Sequence, residues 1–200
     1  MVTFLEWVLW EHVGGGGGRS PNNWKENMKP LCTFSTIEDF WRYFNHLPKP
    51  SEVFYDGNNR KVVGPASKRI EEYSLFKKGI EPEWGDDANK TGGEWFIRQT
   101  LPMDVLDMYW QNLVMGCIGE TIEHGADTTA DKSGFDVVNG ARVVDKGKHY
   151  PMFRLELWLS TRDAEVKEQI KTRLVECVTD GLPPNKKGPT KFDWKDHSAI

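Results

Sequence analysis

The stretch MFRLELWLS, from Met152 to Ser160, constrains the fold more than any other. Phe153, Leu155, Leu157 and Leu159 alternate with Arg154, Glu156 and Trp158. A period of two puts the first set on one face of a strand and the second on the other. One face is therefore core, and the other carries charge and an aromatic ring. Such a strand belongs to a sheet covered on one side only. The cover comes from amphipathic helices. Ile37, Phe40, Trp41 and Phe44 fall at i, i+3, i+4, i+7 behind a capping-box pattern of Ser35 and Glu38. Leu106, Trp110, Leu113 and Cys117 mark a second helix capped by Asp104. Val166, Ile170, Leu174 and Cys177 mark a third, starting near Asp163 and stopped by Gly181 and the prolines behind it. Further strands are expected at 3–13, 28–34, 73–77, behind Gly92 and Gly93, and at 135–146. The expected class is α+β, a curved antiparallel sheet of about six to eight strands backed by three helices, with its concave face free for a ligand.

Two hundred residues suffice for one domain, 1–200, with a long loop at 48–72 and a polar tail at 185–200. The net charge of -4 announces no nucleic-acid partner, so any phosphate site must be a local cluster. No apolar run approaches the roughly 18 residues of a membrane span. The first residues carry Glu6 and lack a basic run, so no secretory leader is expected there. Three dispersed cysteines form no paired motif and imply a reduced, cytoplasmic protein without structural metal. The five histidines show no ligand spacing and read as surface or capping residues. No catalytic motif is present, so neither enzyme nor cofactor is expected.

The run IEPEWGDDANKTGGEW, from Ile80 to Trp95, points to function. Trp84 stands in a segment of turn formers that cannot be a core element. It is either a lid on the core or a platform for another flat ring. Trp24, beyond a run of five glycines, is a second aromatic on a polar loop. Lys146, Lys148 and Arg154 cluster on the last two long strands and their connection, and Arg142 shares strand parity with Lys146. Together they fit a nucleotide whose base is stacked and whose phosphates are held by charge. Binding is then expected to weaken with salt. A carbohydrate-binding module that stacks sugars on tryptophan is the alternative from another class.

Taken in order, the tryptophans and their neighbours resemble the translation initiation factor 4E family, which binds the mRNA 5′ cap. The matching pieces include Trp7 and Trp10, TIEDFW ending at Trp41, YSLF at 73–76, GIEPEW ending at Trp84, GGEW ending at Trp95, CIGE at 117–120, NGA at 139–141, and GLPP at 181–184. Eight of the nine tryptophans fall at family positions, and Trp194 is additional. The resemblance implies that Trp24 and Trp84 sandwich 7-methylguanine and that Trp158 touches the N7 methyl. It implies that Lys146, Lys148 and Arg154 hold the phosphates, with Arg142 competing with Lys146. It also implies a non-enzymatic protein of translation initiation or a repressor of the same family.

Departures from the family pattern mark open points. Gly85 stands where the family has the glutamate that reads the guanine edge, and Glu94 stands where it often has arginine. Glu94 is the candidate replacement and Asp86 the runner-up. Ile37, Trp41 and Met115 resemble the docking surface for a 4G-like scaffold or a 4E-binding protein, but Asn112 replaces the usual acid. The added residues resemble divergent trypanosomatid members, so a hypermethylated cap is an open alternative to 7-methylguanosine.

Overall fold

The computed structural model describes residues 3–14, 23–57, 59–63, 68–125, 136–147, 150–186 and 190–197. Seven strands form one antiparallel sheet in the order β2-β1-β5-β7-β8-β6-β9. They are β1 (Thr3–Gly14), β2 (Met28–Thr36), β5 (Arg69–Lys77), β6 (Gly93–Gln99), β7 (Val138–Asp145), β8 (Phe153–Leu159) and β9 (Asp193–Asp196). A separate hairpin, β3 (Tyr55–Asp56) and β4 (Asn59–Arg60), turns at Gly57. The helices are α1 (Asn23–Asn27), α2 (Ile37–Phe44), α3 (Pro50–Phe54), α4 (Met103–Ile118), α5 (Thr121–His124) and α6 (Ala164–Val178). Among the described residues, no helix is long and apolar enough to cross a membrane.

The one-faced strand of the sequence is β8. Its Phe153, Leu155, Leu157 and Leu159 are fully buried in the core with Leu75, Ala141, Val143, Trp95 and Ile97 from neighbouring strands. Leu106, Tyr109 and Leu113 of α4 and Ile170 and Leu174 of α6 cover them. The other parity faces away from the helices. It lines up Glu72, Ser74 and Phe76 on β5, Gly140 and Arg142 on β7, Arg154, Glu156 and Trp158 on β8, and Glu94 and Phe96 on β6.

Local details differ from the sequence expectations. Thr36, not Ser35, caps α2, accepting from the Asp39 N–H at 3.2 Å. Helix α4 starts at Met103 behind Pro102, and Asp104 lies in its first turn, paired with Lys186. Asp163 caps α6 as expected, accepting from the N–H groups of Glu165 and Val166. The 48–72 segment is not one loop. Pro50 starts α3, the hairpin follows, and β5 begins at Arg69. The polar tail also contains a strand, because β6 would otherwise be a bare edge. β9 pairs along it, and Trp194 packs edge-on against Trp95 at 5.2 Å.

Gly140 lies where strands crowd. A Cβ there would stand 2.5 Å from the Leu75 carbonyl oxygen and 2.5 Å from Phe76 Cγ. Gly140→Ala should cost about 1–3 kcal/mol as overpacking. A urea midpoint lowered at unchanged slope would agree, and an unchanged midpoint would not.

Candidate ligand site on the open face of the sheet

The loop 78–92 carries Trp84 to the edge of the open face. It is pinned at Asn89, which is fully buried. The Asn89 side-chain amide donates to the carbonyls of Glu81 (2.9 Å) and Glu83 (3.0 Å). Asn139 on β7 donates to the Asn89 side-chain oxygen at 2.9 Å and to the Ala88 carbonyl at 2.8 Å. The Asp86 carboxylate accepts from the backbone N–H of Glu81 and of Ala88, each at 2.9 Å. Asp86, a candidate for the guanine edge, is thus already engaged in holding the loop. Gly85, next to Trp84, is exposed with open space around its Cα.

Trp84 is half-buried. The Lys195 ammonium sits 3.8 Å above its ring, and the His197 ring stacks on it with centroids 6.0 Å apart at 22°. Both residues come from the tail. His197 is 1% exposed. One of its ring nitrogens is 2.9 Å from the Asn89 carbonyl and the other 3.3 Å from Glu94 Oε2. Both neighbours offer oxygen acceptors, and the ring tautomer sets which of the two receives the N–H. The sequence reading of His197 as a surface or capping residue is therefore corrected. Its place follows from the edge strand β9 before it, which pairs with β6 and was not expected from the polar tail.

Trp158 is also 1% exposed, beneath His197 at 4.4 Å and against Phe76 at 5.3 Å. Its indole N–H donates to Glu156 Oε2 at 2.8 Å. Trp24 is carried on α1, and its side chain lies outside the described set. The next residue, Lys25, pairs with Glu81 at 2.8 Å and Glu83 at 3.0 Å, which ties α1 to the Trp84 loop.

The middle of the open face holds a chain of ion pairs. Glu72 is held bidentately by Arg142, with the Nε bond at 2.8 Å. Arg142 also reaches Glu156 at 3.4 Å. Glu156 pairs with Arg154 Nε at 2.6 Å, and Arg154 continues to Glu94. Glu94 meets His197. Glu72, Glu94 and Glu156 are at most 4% exposed. Arg154, read from the sequence as a phosphate ligand, lies between two carboxylates. Lys146 is exposed just past the end of β7, and Lys148 lies outside the described residues. Arg142 belongs to the ion-pair chain rather than to the strand end near Lys146. The cross-strand acids Glu72 and Glu156 were not picked out from sequence, because only strand register shows that they face arginines.

On the helical side, Ile37 and Trp41 are partly buried on α2 and Met115 is 40% exposed on α4. The Asn112 amide is used at the end of α6, donating to the carbonyls of Val178 (3.3 Å) and Asp180 (3.0 Å). A cavity of about 480 Å³ opens nearby, lined by Phe44, Leu47, Pro48, Met108 and Trp110 among others.

Burial opposes ionisation of Glu94, but the His197 hydrogen bond and the charges of Arg154 and Arg142 outweigh it and hold its pKa below the usual carboxylate value. A depressed folded pKa stabilises the fold above the unfolded pKa of about 4.3, and this stabilisation is lost as pH falls through the folded value. Glu94→Gln should destabilise at pH 7 by about 2–4 kcal/mol, with the gap to the parent narrowing below about pH 4. Chemical denaturation at several pH values checks this; a gap independent of pH would contradict it.

The family model for "Eukaryotic initiation factor 4E" matches residues 5–199. Among curated relatives, the translation initiation factor 4E of Bos taurus is 34% identical over 183 residues, covering 89% of this chain and 69% of that protein. Matches to several other curated relatives span only 40–50% of their length. Two solved structures share the fold. One is C. elegans eIF4E-3 in complex with the 4E-binding protein Mextli, with TM-score 0.69, 25% identity, and coverage of 98% of this chain and 93% of that one. The other is Ascaris suum eIF4E-3 with an m7G cap, with TM-score 0.70, 25% identity, and coverage of 100% and 94%. The same Ascaris protein was also solved with an m2,2,7G cap. With the model match running over nearly the whole chain, the one-sided sheet and its tryptophan-edged open face are those of a member of the eukaryotic initiation factor 4E family.

Proposed function

We propose that this chain binds the 7-methylguanosine cap of mRNA on the open face of the sheet and recruits capped mRNA for translation initiation in the cytoplasm. It acts by binding, not by turnover. Trp84 carries the reading: it stands half-exposed at the edge of the open face with a cation already over its ring. A base methylated at N7 is cationic, and it would replace the Lys195 ammonium on the same aromatic face. Trp24, on the helix that Lys25 ties to the Trp84 loop, supplies the second ring of the sandwich. Trp158 receives the methyl group once His197 moves aside.

The guanine edge presents two N–H donors, which need a carboxylate. Glu94 takes that role: its Oε2 meets a ring nitrogen of His197 at the long distance of 3.3 Å, a place the base edge can take over. Asp86, with carboxylate lone pairs beyond its two backbone bonds, is the alternative. The phosphates leave the slot toward Lys146 and Lys148. On the helical side, Ile37, Trp41 and Met115 dock an amphipathic helix of a 4G-like scaffold or a 4E-binding protein. The solved complex of the nematode neighbour with Mextli supports a partner of this kind. A repressor would use the same two surfaces with a different partner.

Tryptophan fluorescence titration should give tighter binding of 7-methyl-GTP than of GTP, and Trp84→Ala should weaken the former by roughly thirtyfold, about 2 kcal/mol for one lost stack. Equal affinity for the two nucleotides would refute the reading. In the same assay, loss of 7-methyl-GTP binding in Asp86→Asn with Glu94→Gln unaffected would move the guanine contact to Asp86. Trp41→Ala should weaken binding of an amphipathic helix from a 4E-binding protein by about tenfold or more, as for an aromatic anchor; unchanged calorimetric affinity would place the partner elsewhere.

A further inference from the structure

The far end of the open face carries exposed groups of its own. Arg98 continues the row that Glu94 and Phe96 begin on β6, and strand register sets it directly opposite Arg154 on β8. Like charges placed opposite each other on adjacent strands repel. Arg154 is compensated by Glu94 and Glu156. Arg98 is exposed, and among the described residues no carboxylate pairs with it; its Nε donates to Met152 Sδ at 3.0 Å. Lys146 stands exposed one rung further, where its backbone N–H donates to the Met152 carbonyl at 2.8 Å. Cations gathered at one strand end raise the local positive potential and favour an anion there. The same end presents an aromatic ring. Tyr150 is 59% exposed, on a connection anchored at both flanks. On one side the Thr100 hydroxyl donates to the Pro151 carbonyl at 3.0 Å. On the other the Gly147 N–H donates to Asp145 at 2.9 Å, and Arg60 holds Asp145 at 2.7 Å.

A flat ring held out of the core beside cations is the pairing that single-stranded nucleic acid takes, a base on the ring and phosphate on the charge. The Arg154–Arg98 rung lies about 13 Å along β8 from Trp158, at roughly 3.3 Å per residue. A base seated at Trp84 does not reach it, and the nucleotides beyond the cap phosphates do. We propose that this end of the sheet binds the RNA chain that follows the cap, with a base stacked on Tyr150 and an internucleotide phosphate paired with Arg98 beside Lys146. The proposal rests on the cap-binding reading above, which sends the phosphates toward Lys146. Its ligand is single-stranded RNA joined to a cap, rather than the cap nucleotide alone.

The test is a fluorescence titration of the full chain with GTP, 7-methyl-GTP and a capped single-stranded RNA of about five nucleotides. The parent should bind the capped RNA about tenfold more tightly than 7-methyl-GTP. Tyr150→Ala and Arg98→Gln should each weaken the capped RNA by about fivefold or more and leave 7-methyl-GTP within about twofold, which also shows that the variants fold. Arg98→Gln should flatten the fall of log K with log salt for the capped RNA by about 0.7, one phosphate contact on a single strand, and Arg98→Lys should keep the parent slope. Equal affinity of the parent for capped RNA and 7-methyl-GTP, or capped-RNA binding unchanged in both variants, would overturn this proposal and leave the cap reading standing. A loss shared equally by both ligands would also overturn it, because the two residues would then act on the cap slot. Failure of the parent to prefer 7-methyl-GTP over GTP would overturn the cap reading itself.

Discussion

Strand register places arginine opposite glutamate across four neighbouring strands, and the open face depends on this. Arg142 on β7 stands opposite Glu156 on β8 and beside Ser74 on β5, two residues from Glu72. Arg154 on β8 stands near Glu94 on β6. A slip of one residue in any of these pairings would bury the charged set in the core and expose the leucines. The ion pairs thus share their register with the core on the reverse side. Buried pairs of this kind are weak sources of net stability, since desolvation offsets much of their attraction, but breaking one leaves a charge uncompensated. Each acid and each arginine of the chain has a charged partner, and the guanidinium groups of Arg154 and Arg142 lie 3.8 Å and 5.2 Å from the ring centres of Phe96 and Trp158.

The aromatic corner is built onto the end of this chain. Glu94 passes the network to His197, and His197 sits between Trp84 and Trp158 while it bonds the Asn89 carbonyl. Asn89 in turn fixes the loop that presents Trp84. Two elements distant in sequence, the 78–92 loop and the tail, therefore meet at one histidine. The tail reaches that place because β9 continues the sheet at the edge of β6, with Trp194 anchored on Trp95.

Much of the fold was readable from pattern. The alternation in β8 specified a sheet with one covered face, and the stripes of α2, α4 and α6 supplied the cover. The turn formers around Trp84 marked a presenting loop, and the family resemblance ordered the tryptophans. What stayed hidden depends on pairing between distant segments. β9 is four residues of mostly charged sequence, and it becomes a strand only because an unpaired edge is available. Helix α3 is five residues started by Pro50, too short to show a period. His197 looked like one of several scattered histidines, since its burial comes from the strand before it. Glu94 was singled out as an acid in an unusual place, but its pairing with Arg154 needed the β6–β8 register. The same holds for Arg142, whose pairing with Glu72 needs the β5–β7 register.

The proposed function depends on a cationic base stacking on Trp84 at the edge of the open face, where the Lys195 ammonium now sits. The ratio of 7-methyl-GTP to GTP affinity, read by fluorescence titration in the parent and in Trp84→Ala, tests it most directly. The parent should prefer 7-methyl-GTP, and Trp84→Ala should reduce that preference by about fivefold or more. Equal affinity of the parent for the two nucleotides, or a preference unchanged in Trp84→Ala, would contradict it.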